Sequence, residues 1–254
     1  MIDRMLCGFC GRQAQLTKEH VIPSWIESVL GRVKAKVSLV RGAQPTQSWP
    51  ALGIDLSIHM PCAPCNNGWM HGLEEAVRPT LTPMIRGEGG GRLDGPGRTT
   101  VAAWATKTAM VAEYLTRDRA PYFTAEQRRE LMVQRIPPRG VRVWMARYGG
   151  EWVGHARGQI LKRHVSNEAV GDAYCSTFSI GALAFQLLVC HDPSALFRQH
   201  SGPWKETLLD LYPIGATEFS WPPSIALSHD AYLQLVNRFD FPAQSEDGEL
   251  GRRD

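Results

Sequence analysis

Two cysteine pairs carry the strongest chemical signal in this chain: Cys7 with Cys10, and Cys62 with Cys65. A tetrahedral zinc ion takes four soft donors at about 2.3 Å. A Cys-x-x-Cys turn lets two thiolates converge on one metal, and two such turns complete the shell. The first turn, Cys7-Gly8-Phe9-Cys10-Gly11, has the glycines of a tight knuckle, and the second, Cys62-Ala63-Pro64-Cys65-Asn66-Asn67-Gly68, is also turn-like. The 51 residues between the pairs imply an insertion relative to a compact zinc ribbon. The spacing predicts a structural Zn²⁺ site. Iron is the alternative metal, and free or redox-active thiols are the alternative to any metal. Closing such a site brings Glu19 and His20 beside Asn66, although the two segments are distant in sequence. A carboxylate and an amide oxygen suit a hard cation such as Mg²⁺ or Mn²⁺. An adjacent imidazole can take a proton from water. The chemistry this set would support is metal-assisted hydrolysis of a phosphodiester.

The combination of Cys7-x-x-Cys10, Glu19-His20-Val21-Ile22-Pro23 and Cys62-x-x-Cys65-Asn66 resembles the HNH endonuclease family, over residues 5–85. The resemblance implies a ββα-metal fold with the four Cys as a structural zinc site pinning two hairpin strands to the following helix. It implies His20 as the general base and Glu19 and Asn66 as holders of a divalent metal, Mg²⁺ or Mn²⁺. The substrate it implies is DNA, with RNA as an alternative, and the products a 5′-phosphate and a 3′-hydroxyl. The chain departs from the family pattern in two places. Glu19 stands where Asp is usual, and Ser57 stands where the middle Asn should fall, with His59 close by. His71 follows Asn67 by one helical turn, a register that would make Asn67 the ligand rather than Asn66. Helix capping is another role open to this Asn pair. A zinc-stabilised nucleic-acid-binding module without catalysis, or a nuclease subunit controlled by a partner, would carry the same motifs.

The elements that must position these residues follow from local signals. Pro23 and Gly31 bracket a short helix over 23–30. Leu73, Val77 and Leu81 form one helical stripe, with Glu74 and Glu75 on a solvated face and Pro79 and Pro83 as stops or kinks. Six glycines in residues 86–98 predict a linker or long loop. Val101, Trp104, Val111 and Leu115 predict a helix over about 100–117. Thr124 and Gln127 form a capping box for a helix to about 135. Val141–Met145 alternates as a strand and is expected to pair with a strand near Trp152 across Gly149-Gly150. Residues 173–180 predict a further strand, and 181–190 a buried helix or strand. The expected class is α+β: a zinc-stabilised unit over 1–85, the linker 86–98, an α+β region over 99–242, and a frayed tail over 243–254.

Charge narrows the partners. The net charge is only +3, so bulk charge does not announce a nucleic-acid binder. The basic side chains are locally concentrated: residues 1–50 hold seven Lys or Arg against three Asp or Glu. Lys18, Arg32, Lys34 and Lys36 are the expected phosphate contacts, with Lys34 and Lys36 on one face of a strand. A K34A/K36A variant is accordingly expected to bind DNA more weakly and with a shallower salt dependence, by about one unit of log–log slope for each phosphate no longer neutralised. Equal binding by the variant at every salt concentration would remove this strand from the interface. No apolar run is long enough to span a bilayer, and no secretory signal opens the chain, so a cytoplasmic location with reduced thiols is expected. Residues 99–242 are the expected site of any protein partner or self-association. Cys175 and Cys190 lack partner spacing and are expected as buried thiols.

Overall fold

A computed structural model describes residues 5–31, 34–41, 44–52, 56–89, 91–115, 120–150, 154–165, 168–191, 206–215 and 220–238, with side chains omitted within 34–52 and 154–171. The fold is α+β. The chain opens with two short paired strands, β1 (Met5–Leu6) and β2 (Gln13–Ala14), on either side of the first Cys turn. Next come β3 (Leu16–His20) and helix α1 (Ser24–Leu30). Pro23 precedes α1, and Gly31 ends it at φ +75°, a conformation that favours glycine. A hairpin follows, β4 (Lys34–Arg41) against β5 (Gln44–Leu52), and fills the insertion between the Cys pairs. The strand expected around Lys34 and Lys36 is present; their side chains, and all of Arg32, lie outside the described residues.

Strand β6 (Ser57–Cys62) returns antiparallel to β3. It runs into a π-helical stretch, Cys65–Met70, continuous with helix α2 (His71–Ile85). Pro79 and Pro83 lie inside α2 and do not end it, so the expectation of a stop fails at both positions. Each proline leaves one carbonyl of the preceding turn without its helical donor. Those carbonyls belong to Glu75 and Pro79, both on exposed positions, where solvent can supply the missing bond.

The glycine-rich segment is also more ordered than its composition predicts. It holds β7 (Gly91–Arg92) and the first turn of α3 (Gly95–Ala112). The Asp94 side chain accepts a hydrogen bond from Gly97 N–H, and Pro96 sits in the first turn, so start signals outweigh the cost of two glycines. Every α3 residue from Val101 to Val111 is buried. This is a central helix rather than a one-faced one.

A 3₁₀ turn, Glu113–Leu115, leads on to α4 (Ala125–Gln134), where Thr124 and Gln127 form the expected capping box. The remaining strands are β8 (Val141–Arg147), β9 (Gly154–Val165), β10 (Glu168–Ile180), β11 (Leu183–Cys190), β12 (Leu209–Tyr212) and β13 (Ser220–Trp221). The last described helix is α5 (His229–Val236). Five strands make an antiparallel sheet in the order β12-β8-β11-β10-β9. The hairpin expected between Val141–Met145 and Trp152 is therefore replaced. β8 pairs with β11 and β12, Arg147 O accepts from Leu227 N–H, Gly149 N–H donates to Leu227 O, and Trp152 itself lies outside the described residues. The segment over 181–190 is a strand, and Gly181 turns the β10–β11 hairpin at φ +54°.

Helix α3 packs on this sheet, with Trp104 edge-on to Phe178 and Phe185. One apolar cluster runs from Cys7 and Phe9 through Ile26, Leu73 and Trp104 to Phe185 and Leu187. Cys175 is buried and Cys190 half-buried. Residues 243–254 lie outside the described residues. Among the described residues, no helix is long and apolar enough to cross a membrane.

Candidate functional site

The first Cys turn is a knuckle held by its own backbone. Cys7 N–H donates to Arg12 O and Gly11 N–H to Cys7 O, with Gly11 at φ +68°. Gly8 N–H donates to Met60 O, which ties the knuckle to β6 just before Cys62. A side chain at position 8 would run into Met60, so glycine allows this close approach. Phe9 meets Trp69 edge-to-face at 4.8 Å, joining the knuckle to the π-helical stretch that begins at Cys65.

The four sulfurs of Cys7, Cys10, Cys62 and Cys65 lie within 4.8 Å of one another, and the set could hold a metal ion. Cys10 Sγ and Cys62 Sγ are 3.7 Å apart. That is far too long for a disulfide and close to the edge of a tetrahedron with zinc–sulfur bonds of about 2.3 Å, roughly 3.8 Å. Among the described residues, this is the one cluster of three or more His, Cys, Asp or Glu side chains tight enough for a metal.

Thiol chemistry sharpens this picture. Burial pushes the Cys7 thiol up, but N–H groups of Cys10, Cys62 and Phe9 aimed at its sulfur more than offset burial and bring it to about 7. The Cys62 N–H lies 3.2 Å from that sulfur. Burial raises Cys62 and Cys65, and the neighbouring Cys7 charge raises Cys65 further. A metal must therefore displace protons from these two thiols at neutral pH. Zinc uptake at pH 7 is expected to release at least two protons, and apparent affinity to fall at least about a hundredfold for each pH unit lost. Below pH 7 the fall steepens as Cys7 also protonates. Zinc titration in buffers of different ionisation enthalpy counts these protons, and a count of zero would contradict the site.

Glu19 and His20 at the end of β3 and Asn66 in the first turn after Cys65 line one pocket of about 470 Å³. Lys18, Pro23, Ser24, Asn67, His71 and Glu74 complete its wall. A bulge between β3 and β6 helps to set the register, and Pro61, which has no N–H to offer a ladder, falls there. Thr17 Oγ1 donates to Pro61 O. The Asn66 amide nitrogen donates to Thr17 Oγ1 and to Lys18 O, each at 3.0 Å. The Asn66 side chain thus ties the helix to β3 and does not cap the helix. With its nitrogen committed to these two acceptors, its carbonyl oxygen is the atom left to face a cation.

The π-helical stretch sets how the Asn pair lies relative to His71. His71 N–H reaches Asn66 O, five residues back. The widened turn brings Asn66, Asn67 and His71 to the same pocket, where a regular α-turn would match only Asn67 with His71. Ser57, at the position of the expected middle Asn, is the cross-strand partner of His20. His59 lies opposite Lys18 and is exposed. Lys18 is exposed beside the pocket.

Glu19 is less simple than the sequence suggests. Only 7% of its surface is exposed, and its Oε1 lies 3.1 Å from Lys107 Nζ of α3. The same ammonium lies 2.7 Å from Glu74 Oε1, so Glu74 belongs to a buried ion triad and not to a solvated face. Burial raises the Glu19 carboxyl, with Lys107 acting against that rise. Burial also works against the Lys107 charge, and Glu74 and Glu19 more than offset it. Lys107, Glu74, Asn67 and His71 join the site alongside the residues read from the motifs. Lys107 had a signal: a lone lysine in the long apolar run from Val101 to Val111 must find a carboxylate if it is buried.

The chain was compared with known protein families, with curated proteins and with solved structures, and none of these comparisons returned a match.

Proposed function

We propose that this chain is a metal-dependent endonuclease of the HNH type, acting on phosphodiester bonds in DNA. What supports the reading is the convergence of His20, Glu19 and Asn66 on one pocket beside a four-Cys cluster. The antiparallel pair β3–β6, followed by the π-helical stretch and α2, gives the reading further support, with α1, β4 and β5 between the two strands. The donor set fits a hard divalent cation: a carboxylate oxygen from Glu19 and an amide oxygen from Asn66. A bound Mg²⁺ or Mn²⁺ would supply charge neutralisation at the scissile phosphate and at the leaving oxygen. His20, lining the same pocket, would take the proton of the attacking water. Lys18 at the exposed edge would meet the phosphate backbone, with Arg32, Lys34 and Lys36 extending that contact. The four Cys would hold Zn²⁺ as a structural ion.

The test is cleavage of supercoiled plasmid by the purified zinc-loaded chain with Mg²⁺ or Mn²⁺. Nicked or linear product that disappears when the divalent ion is withheld is the expected result. Absence of metal-dependent cleavage on duplex DNA, single-stranded DNA and RNA alike would overturn the reading and favour a binding module.

A further inference from the structure

The Glu19–Lys107–Glu74 triad lies behind the pocket wall, and none of the sequence motifs accounts for it. Its centre, Lys107, is fully buried on α3, while both of its carboxylate partners line the pocket. The bonds to Lys107 are made by Oε1 of each carboxylate. A carboxylate anchored by one oxygen can offer the other to a cation, with its rotation restricted by the anchor. Glu19 carries this constraint at a strand end, beside His20.

We propose that Lys107 is a positioning residue for the divalent cation: it fixes the Glu19 carboxylate at the pocket wall so that Asn66 and Glu19 present their oxygens together. This rests on the nuclease reading above. The tether comes from α3, outside the motif-bearing segment, so the site is built by the central helix as well as by the zinc clamp. One ammonium between two carboxylates leaves the cluster with a single net negative charge toward the pocket. Position and charge can be separated because the two make opposite predictions.

The experiment measures Mn²⁺ binding to the full zinc-loaded chain by calorimetry, with zinc content and thermal melting as controls. Glu74→Gln removes one negative charge but keeps the Lys107–Glu19 tether. Lys107→Met combined with Glu74→Gln restores the net charge of the wild-type cluster but removes the tether. Positioning predicts that the double variant binds Mn²⁺ at least tenfold more weakly than wild type and more weakly than Glu74→Gln. If charge alone matters, the double variant binds like wild type and more tightly than Glu74→Gln, which overturns the proposal. Should the double variant not fold, wild-type protein labelled with ¹⁵N-lysine decides the matter. The buried Lys107 ammonium signal is expected to shift on adding diamagnetic Mg²⁺, as the cation draws on the carboxylate it tethers, and an unchanged signal at saturating Mg²⁺ overturns the proposal. A wild-type chain that binds zinc but no Mn²⁺ overturns the nuclease reading and this inference together. Mn²⁺ binding that is indifferent to the double substitution overturns the positioning role alone.

Discussion

His20→Ala is expected to lower Mg²⁺- or Mn²⁺-dependent plasmid cleavage by about 10²–10⁴-fold, the usual range for loss of a positioned general base. The substitution should leave zinc content and melting unchanged. His20 is half-buried at the end of β3 and lines the pocket, and its imidazole is no part of the four-sulfur cluster. Mn²⁺ affinity should change much less than cleavage, because the proposed oxygen donors are Glu19 and Asn66. A variant that cleaves as fast as wild type would remove His20 from the chemistry. A variant that loses its zinc would show instead that the ring is structural.

The second large effect concerns the zinc clamp. Cys62→Ser, or zinc removal by a strong chelator, is expected to abolish Mn²⁺ binding in the pocket and the native fold around it. Structural zinc contributes about 10–16 kcal/mol of apparent folding free energy in small zinc domains near pH 7. A whole domain is stable by only about 5–15 kcal/mol. The knuckle strands are two residues each, with Met5 and Leu6 exposed, so they bury little apolar surface of their own. Without the ion, Cys7 and Cys10 lose their link to the start of the π-helical stretch, and Asn66 loses part of what holds it against β3. Tryptophan fluorescence should report the change, since Trp69 packs on Phe9 of the knuckle. Unaltered fluorescence, melting and Mn²⁺ binding after complete zinc removal would show that the packing alone holds the site.

What the sequence made legible was local. Two Cys-x-x-Cys turns, the Pro23 and Gly31 boundaries, and the Thr124–Gln127 capping box each act within a few residues, and each is present. The meeting of His20 with Asn66 was legible for a different reason: two Cys turns whose four sulfurs gather within 4.8 Å leave little freedom to the segments that carry them. Long-range choices were not legible. Val141–Met145 is a strand by its alternation, but nothing local says that its neighbours are β11 and β12 rather than the next strand in line. Gly149-Gly150 looked like a hairpin turn because glycine permits one, and permission is weaker than the pairing energy of a buried sheet. At Gly95, by contrast, the Asp94 cap and Pro96 form a start signal strong enough to override the local glycine content.

Lys107 shows the limit most clearly. Its partners are 88 and 33 positions away, and the bond that matters runs from α3 to a strand end in the motif-bearing segment. The π-helical turn is similar. It decides that Asn66 and Asn67 both accompany His71, and a regular helical count misses it by one residue. In both cases the residue read from the motifs, Glu19 or Asn66, has a geometry that depends on a second element.

The most direct test of the account is a crystal structure of the zinc-loaded chain soaked in Mn²⁺, with anomalous data collected at both metal edges. The account predicts zinc between the four cysteine sulfurs and a separate manganese in the pocket, held by Glu19 and Asn66 oxygens with His20 alongside. A pocket free of manganese at saturating concentration, or a zinc signal absent from the four sulfurs, would contradict it.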